Sequence, residues 1–217
     1  MSIKEIKDQL LKYKSEGKKI FTSSSFQTHS IPLLHIVSSI NVEVDVLFIN
    51  TGFHFPETIS FRDKIVKQLH LNLIDVRSAV SKIQQKDEEG QFYFISDPDY
   101  CCYLNKTQPI EPYLQIYDVW ISGIRADQNT TRKNLKNVEH APYNTLRFHP
   151  IIDWNFEQIE EYRKLHNLPE HPLVQNGYKS IGCAPCTRKF EFDNERASRW
   201  YGMNKNECGL HTDLIIK

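Results

Sequence analysis

The chain carries no surplus of charge: 27 Lys and Arg offset 27 Asp and Glu over 217 residues. A neutral chain projects no long-range field toward nucleic acid or an anionic membrane, so neither is an expected partner. Any anionic ligand must then be held by a local cluster of cations. Also missing is an apolar run of about 18 residues, the length needed to cross a bilayer. The N-terminal stretch has Ile3, Ile6, Leu10 and Tyr13 at helical spacing between charges, and it lacks the apolar centre of a signal peptide. Internal repeats and low-complexity segments are absent. The expected compartment is a reducing cytoplasm, where cysteines serve as ligands or nucleophiles rather than disulfides.

What is present is an alternation of short β-rich runs with helical patterns, which predicts an α/β fold with a doubly wound, mainly parallel sheet. Strands are expected at residues 19–22, 44–49, 71–76 and 119–122, and helices at 31–40, from Pro56 to about Leu69, and from about Phe156 to Leu165. Asn155 and Gln158 stand at capping-box spacing before the last of these. Residues 81–117 are less regular. With 40% hydrophobic residues, one core can serve the whole length.

Four constellations carry chemistry. Ser23-Ser24-Ser25-Phe26-Gln27-Thr28-His29-Ser30 follows the first strand and precedes a helix, where hydroxyls and unpaired N–H groups attract anions. It has no Gly-Lys-Ser/Thr, so it is not a Walker P-loop, and an ordinary capping turn is its alternative. Asn50 to Thr58 forms a second strand-to-helix turn, and two such turns would share one crevice at the carboxyl edge of the sheet. The cysteines divide into Cys101-Cys102, Cys183-x-x-Cys186 and a separate Cys208. A Cys-x-x-Cys pair suits zinc or iron–sulfur, whereas vicinal side chains diverge and suit the separated corners of a cubane. Iron–sulfur ligation, structural zinc and unligated core cysteines all stay open. Last, Arg125, Arg132, Lys133, Arg188, Lys189, Arg196 and Arg199 concentrate cations in the second half, enough to cradle phosphate or sulfate. Beside such cations Cys208 becomes a nucleophile candidate, because the thiolate is the reactive form; Glu207 opposes this and His211 favours it.

Together these segments resemble the assimilatory adenylylsulfate reductases, relatives of the phosphoadenylylsulfate reductases in the adenine-nucleotide α-hydrolase-like (PP-loop) superfamily. The resemblance runs from about Phe21 to His211. Its most specific parts are Ser180-Ile181-Gly182-Cys183-Ala184-Pro185-Cys186-Thr187-Arg188 and Glu207-Cys208-Gly209-Leu210-His211, joined to the vicinal pair and to Trp120-Ile121-Ser122-Gly123-Ile124-Arg125. It implies a 4Fe-4S cluster on Cys101, Cys102, Cys183 and Cys186, and Cys208 as the nucleophile that forms an S-sulfocysteine and releases AMP from adenylylsulfate. Thioredoxin or glutaredoxin would then free sulfite. It assigns Ser24 and Ser25 to the phosphosulfate, Thr51 and Gly52 to the nucleotide, and Lys106 to a place between cluster and sulfate. Arg125 and Arg132 would belong to an arginine loop, and Arg196, Arg199 and His211 to the substrate anion.

On this basis one catalytic domain spans 1–217: an N-terminal helix over 1–18, a nucleotide-binding core over 19–180, and a mobile C-terminal segment over 181–217, with homo-oligomerisation left open. Three residues depart from the family pattern: Asn50 in place of Asp, Gln27 in place of Gly, and Ala126 in place of Arg. The alternatives are phosphoadenylylsulfate reduction, a zinc-stapled nucleotide-binding module, or an ATP-using enzyme of the same fold.

Overall fold

The computed structural model describes residues 1–189, 198–200, 202, 203, 205, 207–211 and 214. Its strands are β1 (Ile20–Ser23), β2 (Asp45–Ile49), β3 (Asn72–Val76), β4 (Val119–Ser122), β5 (Val138–His140) and β6 (Leu146–Phe148). They form one sheet in the order β3-β2-β1-β4-β6-β5, parallel throughout except for β5, which pairs antiparallel at the edge. The chain builds outward from β1 in one direction and then crosses to β4 on its other side. The reversal leaves a crevice at the carboxyl ends of β1 and β4, the place where open α/β sheets receive ligands.

Helices cover both faces: α1 (Ile3–Ser15), α2 (Ile31–Ser38), α3 (Pro56–Leu69), α4 (Tyr93–Ser96), α5 (Pro98–Cys102), α6 (Gln108–Leu114) and α7 (Phe156–Leu165). A capping box between Ser2 and Glu5 starts α1, whose Ile6, Leu10 and Tyr13 are buried as their spacing predicts. The expected box between Asn155 and Gln158 starts α7. These helices, with α2 and α3, bury one face of the sheet around Val46, Phe48, Val119 and Ile121. On the other face Phe21, Leu47, Val76 and Trp120 pack with Ile110 and Leu114 of α6, and with Leu214 near the C-terminus.

Three features differ from the sequence expectation. The serine run does not cap a helix. Phe26 turns through φ 52° and buries its ring against Phe48, and Thr28–Ser30 form a 3-10 turn before α2 begins. Residues 98–114, expected to be irregular, form an almost continuous helix containing a π turn at Tyr103–Thr107. Pro109 has no N–H for the Asn105 carbonyl, and the wider turn closes instead from Gln108 N–H to the Tyr103 carbonyl. The prolines that made this stretch look broken are absorbed by the change of pitch. Finally, β5 and β6 are three residues each, too short to give a period-2 signal.

His171 fastens α3 to the loop that carries Pro172. Its Nδ1 accepts from Leu173 N–H at 3.2 Å, so Nε2 bears the proton and donates to Thr58 Oγ1 at 3.0 Å. Burial pulls its pKa down from 6.5 to about 4. The unfolded chain therefore binds a proton that the folded chain refuses between those values. Stability from this group is full above about pH 6.5 and is lost as pH falls toward 4. Urea unfolding across that window should show the fall, and His171→Asn should flatten it.

Candidate active site

The crevice holds a cavity of about 190 Å³. Its floor is the end of β1 and β4 with the loops that follow them, Ser23 to Ser25 and Ser122 to Ile124. Ser24 Oγ accepts from Phe26 N–H at 3.1 Å, and Ser25 Oγ lies 3.3 Å from Ser30 Oγ. Gln27, one of the three departures, links this loop to the cysteine segment: its amide donates to Ser25 Oγ at 3.3 Å and accepts from Ile181 N–H at 3.0 Å. His54, which sequence patterning did not single out, also lines the cavity. Burial lowers its pKa to about 4, and the neutral ring donates from Nε2 to the Ile49 carbonyl at 3.1 Å.

The cysteine segment crosses the mouth of the crevice. Ala184 N–H donates to the Phe53 carbonyl at 2.7 Å, and Thr187 Oγ1 both accepts from Gly182 N–H and donates to the Cys183 carbonyl. Residues 198–200 run antiparallel to 186–188, with Arg188 N–H on the Ser198 carbonyl and Trp200 N–H on the Cys186 carbonyl, each at 3.0 Å. That pairing lays the Arg199 guanidinium over Gly182, where a Cβ would come within 2.3 Å of it. Arg199 is nearly buried, 4.5 Å from the Trp200 ring centroid, and its Nε has no hydrogen-bond partner.

Cys101, Cys102, Cys183 and Cys186 line a small second pocket behind Lys106. Thr51 faces this pocket rather than the larger cavity, with Oγ1 3.2 Å from Cys183 Sγ. Burial, then the charges of Cys183 and Cys186, push the Cys101 thiol up to about 11. Burial raises Cys186 as well. The charge of Cys183 thus opposes ionisation of Cys101 and Cys186 in one place, which is the chemistry of a donor set built for a positive centre. Among the described residues no three His, Cys, Asp or Glu side chains converge on a point that would hold a single ion.

Lys106, in the π turn, stands between the two pockets and lines both. Burial disfavours its charge, but the surrounding Cys102, Cys208 and Cys183 outweigh that and raise its pKa. Cys208 is buried at the cavity wall. Its thiol is held well below the ordinary value by a hydrogen bond with Cys102, against the cost of burial and with help from the Lys106 ammonium.

The segment bearing Cys208 is docked by Glu207. Arg132 donates to both Glu207 oxygens, at 2.7 and 3.0 Å, and Asn129 donates to it at 2.6 Å. Glu207 in turn accepts from Cys208 N–H at 2.8 Å. His211, in a 3-10 turn with Gly209, lines the cavity and meets Arg147 of β6, a residue absent from every sequence constellation.

The structure therefore brings Ser24, Ser25, Lys106, Arg132, Arg199, Cys208 and His211 to one cavity. Arg132 reaches it while already paired to Glu207. Thr51 and Gly52 do not line it; the side chain of Lys82 packs over Gly52 and donates to its carbonyl at 3.0 Å. Arg125 is turned away, buried against Asp127 at 2.9 Å. Arg196 lies outside the described residues.

A mainly parallel sheet with its cavity at the strand reversal is an open, doubly wound α/β fold, and solved structures share it. Phosphoadenylyl-sulfate reductase from Candida auris superposes with a TM-score of 0.68 at 22% identity, covering 85% of this chain and 89% of that one. FMN adenylyltransferase from Candida glabrata gives 0.59 at 18% identity, over 79% of this chain and 57% of that one. At these identities the likeness shows the fold alone. The family follows from sequence: residues 19–189 match the phosphoadenosine phosphosulfate reductase domain, and the chain belongs to that family. It is 39% identical to an adenosine 5'-phosphosulfate reductase of Rhodococcus erythropolis, over 82% of this chain and 73% of the relative. It is 34% identical to adenosine 5'-phosphosulfate reductase 2 of Bacillus subtilis, over 98% and 95%.

Gly182→Ala tests the Arg199 contact directly. The added methyl displaces the flexible end of a side chain rather than backbone, so urea stability should stay near wild type. Affinity for AMP and inorganic sulfate, read by calorimetry, should fall as in Arg199→Ala.

Proposed function

We propose that this protein reduces adenylylsulfate to sulfite and AMP through a covalent intermediate on Cys208. The supporting observation is the position of the Cys208 thiol at the wall of a cavity lined by cations, where the Lys106 ammonium favours its thiolate form. The thiolate attacks the sulfate sulfur, forming an S–S bond as the S–O bond to the phosphate breaks, and AMP leaves with that electron pair. A dithiol protein, thioredoxin or glutaredoxin, then attacks Cys208 Sγ; sulfite departs, Cys208 is restored, and the donor ends as a disulfide. Arg199, Arg132 and the serine hydroxyls would hold the anion, and Lys106 would meet charge developing near the sulfate. We place the enzyme in the cytoplasm, where such donors are kept reduced.

Cys101, Cys102, Cys183 and Cys186 would hold one 4Fe-4S cluster. Such a cluster would supply charge compensation for four clustered thiolates and would brace two cysteine segments across the crevice. Two of the four are vicinal, and their diverging side chains suit the separated corners of a cluster better than a single zinc. Anaerobically prepared protein should be brown, with about four irons and four sulfides per chain. Stoichiometric zinc without labile sulfide would refute the cluster.

Incubation with adenylylsulfate in the absence of thioredoxin should add one sulfonate to the peptide carrying Cys208, and reduced thioredoxin should release it as sulfite. Cys208→Ser should bind AMP yet gain no mass. Sulfite release by that variant at the wild-type rate would end this mechanism. Higher kcat/KM with phosphoadenylylsulfate in a side-by-side assay would reverse the substrate assignment.

A further inference from the structure

Arg147 is among the largest fully buried side chains of the protein. On β6 it stands in register with Trp120 of β4, and its guanidinium carbon lies 4.2 Å from the Trp120 ring centroid. From β5, Glu139 is its register partner. Burial lowers the Arg147 pKa to about 10, so the group stays charged at neutral pH. Nε and Nη1 have no hydrogen-bond partner, and Nη2 bonds to Nδ1 of His211. A buried guanidinium with one directed hydrogen bond is an expensive arrangement. Of its two register neighbours in the sheet, Trp120 offers only a ring face, and Glu139 offsets part of the burial cost by its charge.

We propose that Arg147 is a positioning residue that fixes the tautomer of His211 and thereby makes that ring a hydrogen-bond donor in the cavity. Arginine has donors and no acceptor, so the bond runs from Nη2–H to the Nδ1 lone pair. The imidazole proton then resides on Nε2. His211 lines the same cavity as Cys208, which stands three residues before it, and the His211 backbone N–H donates to the Cys208 carbonyl at 2.9 Å as the turn closes. That turn ties the ring to the nucleophile. With the proton on Nε2, the ring offers an N–H to an anionic sulfate or phosphate oxygen; the other tautomer would offer a lone pair and repel it. The stacked Trp120 keeps the guanidinium plane from rotating away, and the Trp120 Nε1–H is committed to Ser23 Oγ at 2.8 Å at the end of β1.

The role in substrate binding rests on the function proposed above; the tautomer does not. In the holoenzyme, ¹⁵N-histidine NMR should show His211 with Nδ1 unprotonated and Nε2 protonated at neutral pH, and Arg147→Met should abolish that bias. The opposite tautomer in wild type, or an unchanged one in Arg147→Met, would overturn the proposal whatever the enzyme's substrate. In single-turnover S-sulfonation of Cys208, Arg147→Met should slow the step at least tenfold with AMP affinity within twofold of wild type. Combined with His211→Ala it should cost no more than His211→Ala alone, because both act through one ring. Additive losses would overturn it, as would a loss confined to AMP affinity. Arg147→Lys keeps a charged donor and should recover part of the rate; if Arg147→Met does not fold, a rate for Arg147→Lys equal to wild type with the tautomer lost would equally refute the assignment. If Cys208 gains no sulfonate in any variant, the proposed function fails while the NMR result still decides the tautomer.

Discussion

Arg132 and Glu207 meet through two hydrogen bonds with almost no exposure to solvent, and the course of the C-terminal segment follows from that pair. Two ions are not taken out of water without loss, and the loss is recovered only when geometry is good and the remaining lone pairs are filled. Asn129 and the Cys208 N–H fill them here. Breaking such a pair from one side typically costs about 3–5 kcal/mol. The carboxylate next to the nucleophile is therefore already paired before substrate arrives. Glu207 still raises the thiol it adjoins, and the hydrogen bond with Cys102 and the Lys106 ammonium outweigh it.

A second consequence is that the cavity is assembled from pieces far apart in the chain. The β1 loop gives hydroxyls, the π turn gives Lys106, the stretch after β4 gives Arg132, and the last residues give Cys208. Only the strand reversal between β1 and β4 puts them within one crevice. The segment ends apolar as well as charged: Leu214 is buried with Phe21 and Trp120, so the nucleophile is held from both sides of its position.

Much of this could be seen in the sequence, for physical reasons that also mark its limit. The parallel strands are near-continuous apolar runs such as Asp45–Ile49, and α1, α3 and α7 carry their own start signals. The cysteines and the Glu207–His211 motif announce themselves by residue type, and the structure gathers the residues around them. Side-chain direction was not legible. Thr51 and Arg125 sit in the expected turns but face Cys183 and Asp127, because a neighbour from another segment claims them. Arg147 was invisible because an isolated cation in a three-residue strand has no pattern, and His54 because a histidine near a turn has none either. Pro109 and Pro112 concealed a helix by breaking the rule that prolines end one.

The π turn at Tyr103–Thr107 fixes how much length the helix can gain or lose. An α-helix advances about 100° per residue, so one residue more or less turns everything before it by that angle relative to everything after it. Cys101 and Cys102 precede the wide turn, Lys106 lies within it, and Ile110 and Leu114 follow it in the core beside Trp120. With Ile110 and Leu114 anchored, removal of a single residue would restore ordinary pitch and swing the two thiols away from Cys183 and Cys186. The spacing between the vicinal cysteines and the proline is thus a counted quantity, and chains sharing this site should vary in residue identity there while tolerating no insertion or deletion.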